Sequence, residues 1–218
     1  MIQDGDRIAV GVSGGKDSIA LLYCLNALSR FFPERFGIVA ITLDLGNPGF
    51  DLDSLVELYN RLGVQYHIEE TKIAKIVFDI RQEKNPCSLC SNMKRGAIYN
   101  TAKSLGCNKA AFGHHRDDVI ETLLLSLFYE GRIHTFSPVT YLDRKDITLI
   151  RPMIYTEEKM IRSFIRHEGI TPVKSGCRVD NLTKRKYIKD HLGELTKENP
   201  KIKDNIFGAI VRSGINGW

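Results

Sequence analysis

The chain has 218 residues, of which 43% are hydrophobic and 26% charged, with a formal net charge of +5. A chain of this length buries about 70% of its unfolded surface and needs no disulfide or metal staple to fold. It contains no run of about 18 apolar residues, which excludes a helix that spans a membrane, and its start, MIQDGDRIAVGVSGG, lacks a signal peptide's basic segment and cleavage site; a cytoplasmic protein without a membrane partner is expected.

RIAVGVS (7–13), a short apolar run ending in glycine and serine, predicts a buried strand. KDSIALLYCLNALSRFF follows with apolar residues at helical spacing until Pro33 stops it. FGIVAITLDL reads as a second buried strand. Asp51 precedes the helix LDSLVELYNRLG, which Gly63 ends, and VQYHIEE is a third strand. SNMKRGAIYNTAKSLG is a helix beyond two cysteines, NKAAFG a strand, RDDVIETLLLSLFYEG a helix and ITLIRP a fifth strand. TEEKMIRSFIRHEG forms a helix opened by Thr156 with an acidic first turn. This alternation predicts an α/β fold, an open and mostly parallel sheet with helices on both faces. Ligands of such sheets sit beyond the carboxyl ends of the strands, near the switch point, where the loops after 7–13 and 109–113 fall. Residues 1–168 are expected to form the α/β domain and residues 169–218, broken by Pro172 and Gly176, a small helical appendage.

Charge is unevenly placed. Residues 1–150 hold 17 Lys and Arg against 18 Asp and Glu, residues 151–218 hold 14 against 8. The basic C-terminal part suits a polyanionic partner or a solvated face. Five cysteines (Cys24, Cys87, Cys90, Cys107, Cys177), an odd number in a chain expected under reducing conditions, suggest metal or redox chemistry more than disulfides.

GVSGGKDS (11–18) joins the first strand to the first helix. Gly14 and Gly15 allow close backbone approach, the helix start favours an anion, Ser13 and Ser18 add hydroxyls and Lys16 a positive charge. A Walker A loop is excluded, because Val10 stands where its first glycine belongs and Asp17 follows the lysine; a dinucleotide fingerprint is excluded by Ser13. SGGKDS after a first strand resembles the pyrophosphate loop of the PP-loop ATP pyrophosphatases. The resemblance implies that Ser13, Gly14, Gly15, Lys16, Asp17 and Ser18 hold the phosphates of ATP, with Mg²⁺ bridging them, and that Lys16 and Asp17 serve catalysis. It also implies a nucleoside contact at Asp44, whose other reading is a turn residue. In FGHHRDDVIET (112–122), His114, His115, Asp117, Asp118 and Glu121 crowd a helix start. Adjacent histidines and helix-start aspartates are ordinarily structural, yet the stretch resembles the GHxxDD element of RNA-modifying PP-loop enzymes. That likeness places Gly113 and His114 against ATP and assigns Asp117 and Asp118 to Mg²⁺ or to the adenylated intermediate.

PCSLCSNMKRG (86–96) leaves Cys87 and Cys90 readable as a redox pair, half of a zinc site, cluster ligands or two plain cysteines. A thioredoxin-type pair belongs after the first strand, where the phosphate loop stands, and a structural zinc wants four ligands. Cys24, on the apolar face of the first helix, and Cys107 read as packing residues. PGF (48–50), PCSLCSNMKRG, GHHRDD (113–118), FYEG (128–131) and IRPMIY (150–155), in that order, resemble the bacterial tRNA 2-thiocytidine synthetase (TtcA) family over nearly the whole chain. A second CxxC that the family often carries is here the single Cys177. The resemblance implies an ATP-dependent tRNA sulfurtransferase that adenylates a cytidine of the anticodon loop, position 32, and inserts sulfur through a [4Fe-4S] cluster on Cys87, Cys90 and Cys177. It further implies Lys94 near the adenylated base, Arg95 near phosphate, and a sulfur donor, either a cysteine desulfurase or inorganic sulfide. Lys184, Arg185 and Lys186 in NLTKRKY are expected to touch the RNA backbone, and a homodimer is compatible with the chain. The alternatives are a PP-loop sulfurtransferase or ligase acting on another base or a small molecule, and a nucleotide- and cluster-binding sensor without turnover.

Overall fold

The structure is a computed structural model describing residues 1–82, 86–173, 176–177 and 184–218. Side chains of β1 (Asp6–Gly11) alternate between two cores, the two-residue period of a strand covered on both faces. Ile8 and Val10 join Leu21, Leu25 and Tyr59 on one face, while Ala9 joins Tyr99, Ala102 and Cys107 on the other. The first face is covered by α1 (Lys16–Leu28), α2 (Leu52–Leu62) and α5 (Glu158–His167), the second by α3 (Pro86–Ser104). Between them lie β2 (Phe36–Asp44), β3 (Gln65–Glu70), β4 (Lys109–Ala111), β5 (Val139–Leu142) and β6 (Ile147–Ile150), with spatial order β3-β2-β1-β4-β6-β5. All pairings are parallel except β5 with β6. The expected mostly parallel α/β sheet is the observed one.

Local differences have local causes. ITLIRP supplies the sixth strand, because the four residues of β5 add an antiparallel edge whose pattern of exposed and half-exposed residues carries little apolar signal. α3 begins at Pro86, a residue suited to a first helical turn, so Cys87 and Cys90 lie inside the helix. Two segments, Lys75–Ile80 and Ser126–Glu130, are π-helical. Asp51 and Gly63 cap α2 as read, the carboxylate accepting the Ser54 amide and the glycine taking the left-handed conformation. Thr156 does not open α5. The helix starts at Glu158, whose amide donates to the side chain of Asp117 at 2.8 Å. Cys24 is exposed on α1, not packed, whereas Cys107 is buried.

The helices α4 (Arg116–Leu125), α6 (Lys184–Glu198) and α7 (Ile202–Ser213) share two further apolar clusters. Ile120 packs with Ile188 and Leu192 of α6, and Val119 and Leu123 pack with Ile210 of α7. The C-terminal helices therefore lie directly against the helix that begins at the second glycine loop.

Candidate active site

β1 and β4 are parallel neighbours, and the sheet grows outward from them on either side, through β2 and β3 and through β6 and β5. Their carboxyl ends thus form the switch point, where the two loops must separate to reach helices and a crevice opens. Here the loops meet closely. A Cβ on Gly113 would lie 2.7 Å from the Asp17 carbonyl oxygen and 3.0 Å from the Ser18 amide nitrogen, so only glycine admits this contact. Gly14 has φ +81, and a Cβ there would meet Val173 at 2.9 Å. Val173 donates its amide to the Gly14 carbonyl at 2.9 Å, laying the segment after α5 over the first loop. The Ser18 hydroxyl donates to the Gly15 carbonyl at 2.8 Å and accepts the Ser13 amide at 3.1 Å, which shapes the loop from within. No side chain caps the first turn of α1, so its amides and the positive end of its dipole are left for an anion.

A cavity of about 360 Å³ opens from this junction, a volume suited to a nucleotide-sized ligand. Ser13, Asp17, Ser18, Gly113 and Asp118 form its polar end. Leu43, Leu45, Phe50, Ile98 and Phe112 give it apolar walls, and Ser91, Lys94 and Arg95 of α3 close it opposite the loops. His114 lines it with its ring 4.8 Å from that of Phe136. Burial pushes the His114 imidazole down to about 4; the Asp118 charge opposes the shift, and those of Arg151 and Arg185 add to it. The ring is therefore neutral at physiological pH, and its Nδ1 has no partner among the described residues.

Several expected residues stand elsewhere. Lys16 does not itself line the cavity: its Nζ lies 2.8 Å from Asp17, which does, and 3.0 Å from Glu158. Burial works against its charge, but the two carboxylates more than compensate and raise its pKa. Asp117 was expected to share a magnesium or intermediate contact with Asp118. Its carboxylate is instead 7% exposed and already engaged, accepting the Glu158 amide and pairing with Lys203 of α7 at 2.7 Å. Neighbouring residues on a helix point about 100° apart, and only Asp118 faces the cavity. Asp44 is a turn residue, its carboxylate accepting the Gly46 amide at 2.8 Å; Leu43 and Leu45 beside it line the cavity. Arg185 points inward, 3.2 Å from both Asp118 and Glu121, while Lys184 lies over the ring of Tyr129 at 4.3 Å and Lys186 pairs with Asp190 at 2.8 Å.

Two residues given no role from the sequence complete the junction. Buried His115 places Nε2 3.6 Å from Asp17 and 3.5 Å from Asp118, bridging the loops. Glu158, 7% exposed, gathers Lys16, Arg162 and Lys189. Burial works against its anion, yet hydrogen bonds from Lys189, Lys16 and Arg162 hold its pKa far below the usual carboxylate range. The one sequence signal for Glu158 was the acidic first turn of TEEKMIR.

Cys87 is exposed in the first turn of α3 and Cys90 is half-buried there; Cys177 arrives from the segment that crosses the first loop. Burial raises the Cys90 thiol pKa; Lys94 opposes this, and the charges of Cys177 and Cys87 add to it, so the three thiols share one electrostatic neighbourhood. Among the described residues no three His, Cys, Asp or Glu side chains already stand in a metal-binding arrangement. No helix of the described residues is long and apolar enough to cross a membrane.

The PP-loop domain family matches residues 2–196. The chain is 42% identical over 216 residues to the tRNA-cytidine(32) 2-sulfurtransferase of Geobacter sulfurreducens, covering 96% of this chain and 83% of that one. It is 43% identical over 213 residues to the protein of the same name from Pelobacter propionicus, covering 96% of this chain and 79% of that one. The chain belongs to the tRNA 2-thiocytidine synthetase family of PP-loop proteins. Its fold is also similar to the U34-tRNA thiolase NcsA from Methanococcus maripaludis, solved with its [4Fe-4S] cluster, with a TM-score of 0.80 and 25% identity over 96% of this chain and 72% of that chain. The family resemblance read from SGGKDS, GHHRDD and the CxxC segment holds, and the PP-loop domain implies ATP binding.

Two outcomes follow from the geometry of this PP-loop junction. Gly113→Ala has to push the second loop off the Asp17–Ser18 backbone, so ATP affinity should fall at least tenfold in isothermal titration while the circular dichroism spectrum is kept; unchanged affinity would refute the close-approach argument. Burial pushes the Glu121 carboxyl up to about 7, with Arg185 opposing. The folded state then holds a proton that the unfolded state loses, so this stabilisation is present below about pH 4.5 and lost as pH rises through about 7. His114 has the opposite slope, losing stability as pH falls from about 6.5 to about 4. Glu121→Gln should unmask the His114 slope, giving stability that rises with pH across that window in urea unfolding; a profile parallel to wild type would contradict the assignment.

Proposed function

We propose that the chain adenylates the C2 oxygen of a tRNA cytidine, at position 32 of the anticodon loop, and replaces it with sulfur to give 2-thiocytidine. The observation that carries this reading is the single cavity linking the uncapped start of α1 and the second glycine loop to Lys94, one turn beyond Cys90 on α3. ATP enters with its phosphates at Ser13, Ser18 and the α1 amides, and its base against the apolar walls. The cytidine C2 oxygen attacks the α-phosphorus; pyrophosphate leaves, its growing charge met by donors already in place. Asp17 and Asp118, which line the cavity where Asp117 does not, would be the residues to hold Mg²⁺, which would neutralise the charge of the phosphates. Lys94 sits beside the activated base and Arg95 beside a phosphate. A sulfur nucleophile then forms the C2–S bond, the C2–O bond breaks, and AMP departs.

The donor set suits a [4Fe-4S] cluster: Cys87, Cys90 and Cys177 are soft ligands, the charges of the other two are felt at Cys90, and Lys94 lies near enough to favour the Cys90 thiolate. A cluster held by these three thiolates would supply the site for the incoming sulfur, whose donor is a cysteine desulfurase or inorganic sulfide. The tRNA backbone meets Lys184 and Lys186, both exposed on α6; Arg185 instead aligns Asp118.

Anaerobically purified protein should contain iron and sulfide, and Cys87→Ser, Cys90→Ser or Cys177→Ser should remove both, together with 2-thiocytidine in tRNA nucleosides measured by mass spectrometry. Cys24→Ser and Cys107→Ala should retain them. Active enzyme holding zinc and no iron would sink the cluster, and unchanged 2-thiocytidine in a deletion strain would sink the substrate. Replacing Lys184 and Lys186 together by Gln should make tRNA binding less salt-dependent by about two phosphate contacts; an identical slope would return both to the solvated surface.

A further inference from the structure

Lys16 is the one cation of the first loop, and its ammonium has three N–H donors to distribute. Asp17, its chain neighbour, engages it at 2.8 Å, and Glu158, far away in sequence, at 3.0 Å. Glu158 itself cannot drift. It is the first residue of α5, and its amide is held by Asp117 of the second loop at 2.8 Å. Its carboxylate also takes Lys189 of α6 at 2.7 Å and Arg162 of its own helix at 2.9 Å. The side chain is almost wholly buried, so these interactions act with little solvent screening. One chain of contacts therefore runs from the second loop through Asp117 and Glu158 to the lysine of the first.

We infer that Glu158 is the positioning residue for Lys16, fixing the ammonium beside Asp17 at the cavity's polar end, where the donors now shared by both Asp17 carboxylate oxygens turn to the outgoing pyrophosphate of ATP once the nucleotide is bound. The inference rests on the ATP-site reading above and deepens it. A lysine side chain loses much of its rotamer freedom when ordered. Glu158 imposes that ordering before ATP arrives, so the cost does not fall on binding. The competing role for Glu158 is a plain tie between α5 and α6 through Arg162 and Lys189. That role predicts the same loss on removing its charge whether or not residue 16 is a lysine. The positioning role predicts a loss that depends on Lys16.

A double-mutant cycle separates them. Affinity for the nonhydrolysable analogue β,γ-imido-ATP is measured calorimetrically for wild type, Glu158→Gln, Lys16→Met and the double variant. The amide of residue 158 that Asp117 caps is main chain and survives the substitution. Glu158→Gln should weaken the analogue about tenfold in the wild-type background and less than twofold beside Lys16→Met. Pyrophosphate release under saturating ATP and tRNA should fall in the same pattern. Equal losses in both backgrounds, or no loss in either, overturn the inference while leaving the ATP site in place; failure of wild type to bind the analogue overturns the site and the inference together. Should Glu158→Gln not fold, Glu158→Asp, which retains the charge but is one methylene too short to reach Lys16, is run through the same cycle with the same criteria.

Discussion

No side chain fits between the two glycine loops. The backbone of Asp17 and Ser18 lies where a Cβ on Gly113 would stand, and this van der Waals limit sets how closely the loops after β1 and β4 approach each other. Most of what gives the cavity its polar end follows from it. His115, two residues beyond Gly113, reaches Asp17 and Asp118 at once, and Asp118 turns to the cavity as Asp117 turns away. The sheet brings the loops to the same crevice, and the glycine lets them touch.

Electrostatics then organises the helices around that contact. Carboxylates of α4 and α5 are matched by cations of α6 and α7: Glu158 by Lys189, Asp118 and Glu121 together by Arg185, Asp117 by Lys203. Part of the positive charge of the C-terminal region, which in the sequence suggests an external polyanion or a solvated face, thus answers negative charge inside the molecule. Removing one member of such a buried pair costs more than the pair's net contribution, because its partner is left desolvated and unmatched.

The fold was largely legible because its signals are local. Asp51 and Gly63 bracket α2 within a dozen residues, and the strand–loop–helix of SGGKDS needs no distant contact to be read. The details lost to the sequence depend on rotation or on long range. Asp117 and Asp118 are chemically identical neighbours, and only the angle between them on α4 decides which one lines the cavity. The same holds for Lys184, Arg185 and Lys186, of which only Arg185 faces the site carboxylates. Glu158 contacts lysines 142 and 31 residues away along the chain, positions 16 and 189, and no periodicity reports such a meeting. Strand β5 escaped because it is only four residues long and, at the sheet edge, buries neither face, so no alternation of apolar and polar residues marks it.

The inward charges of α6 and α7 bear on where the chain can be cut. A fragment ending near residue 168 would keep every strand and both glycine loops, and on paper resembles a minimal nucleotide-binding unit. It would also strip Lys189, Lys203 and Arg185 from Glu158, Asp117, Asp118 and Glu121, and bare the apolar side of α4 at Val119, Ile120 and Leu123. Several kcal/mol of unmatched buried charge is comparable to the whole stability margin of a domain. The tail is thus a built-in counter-ion, and the nucleotide fold is complete only once it has docked.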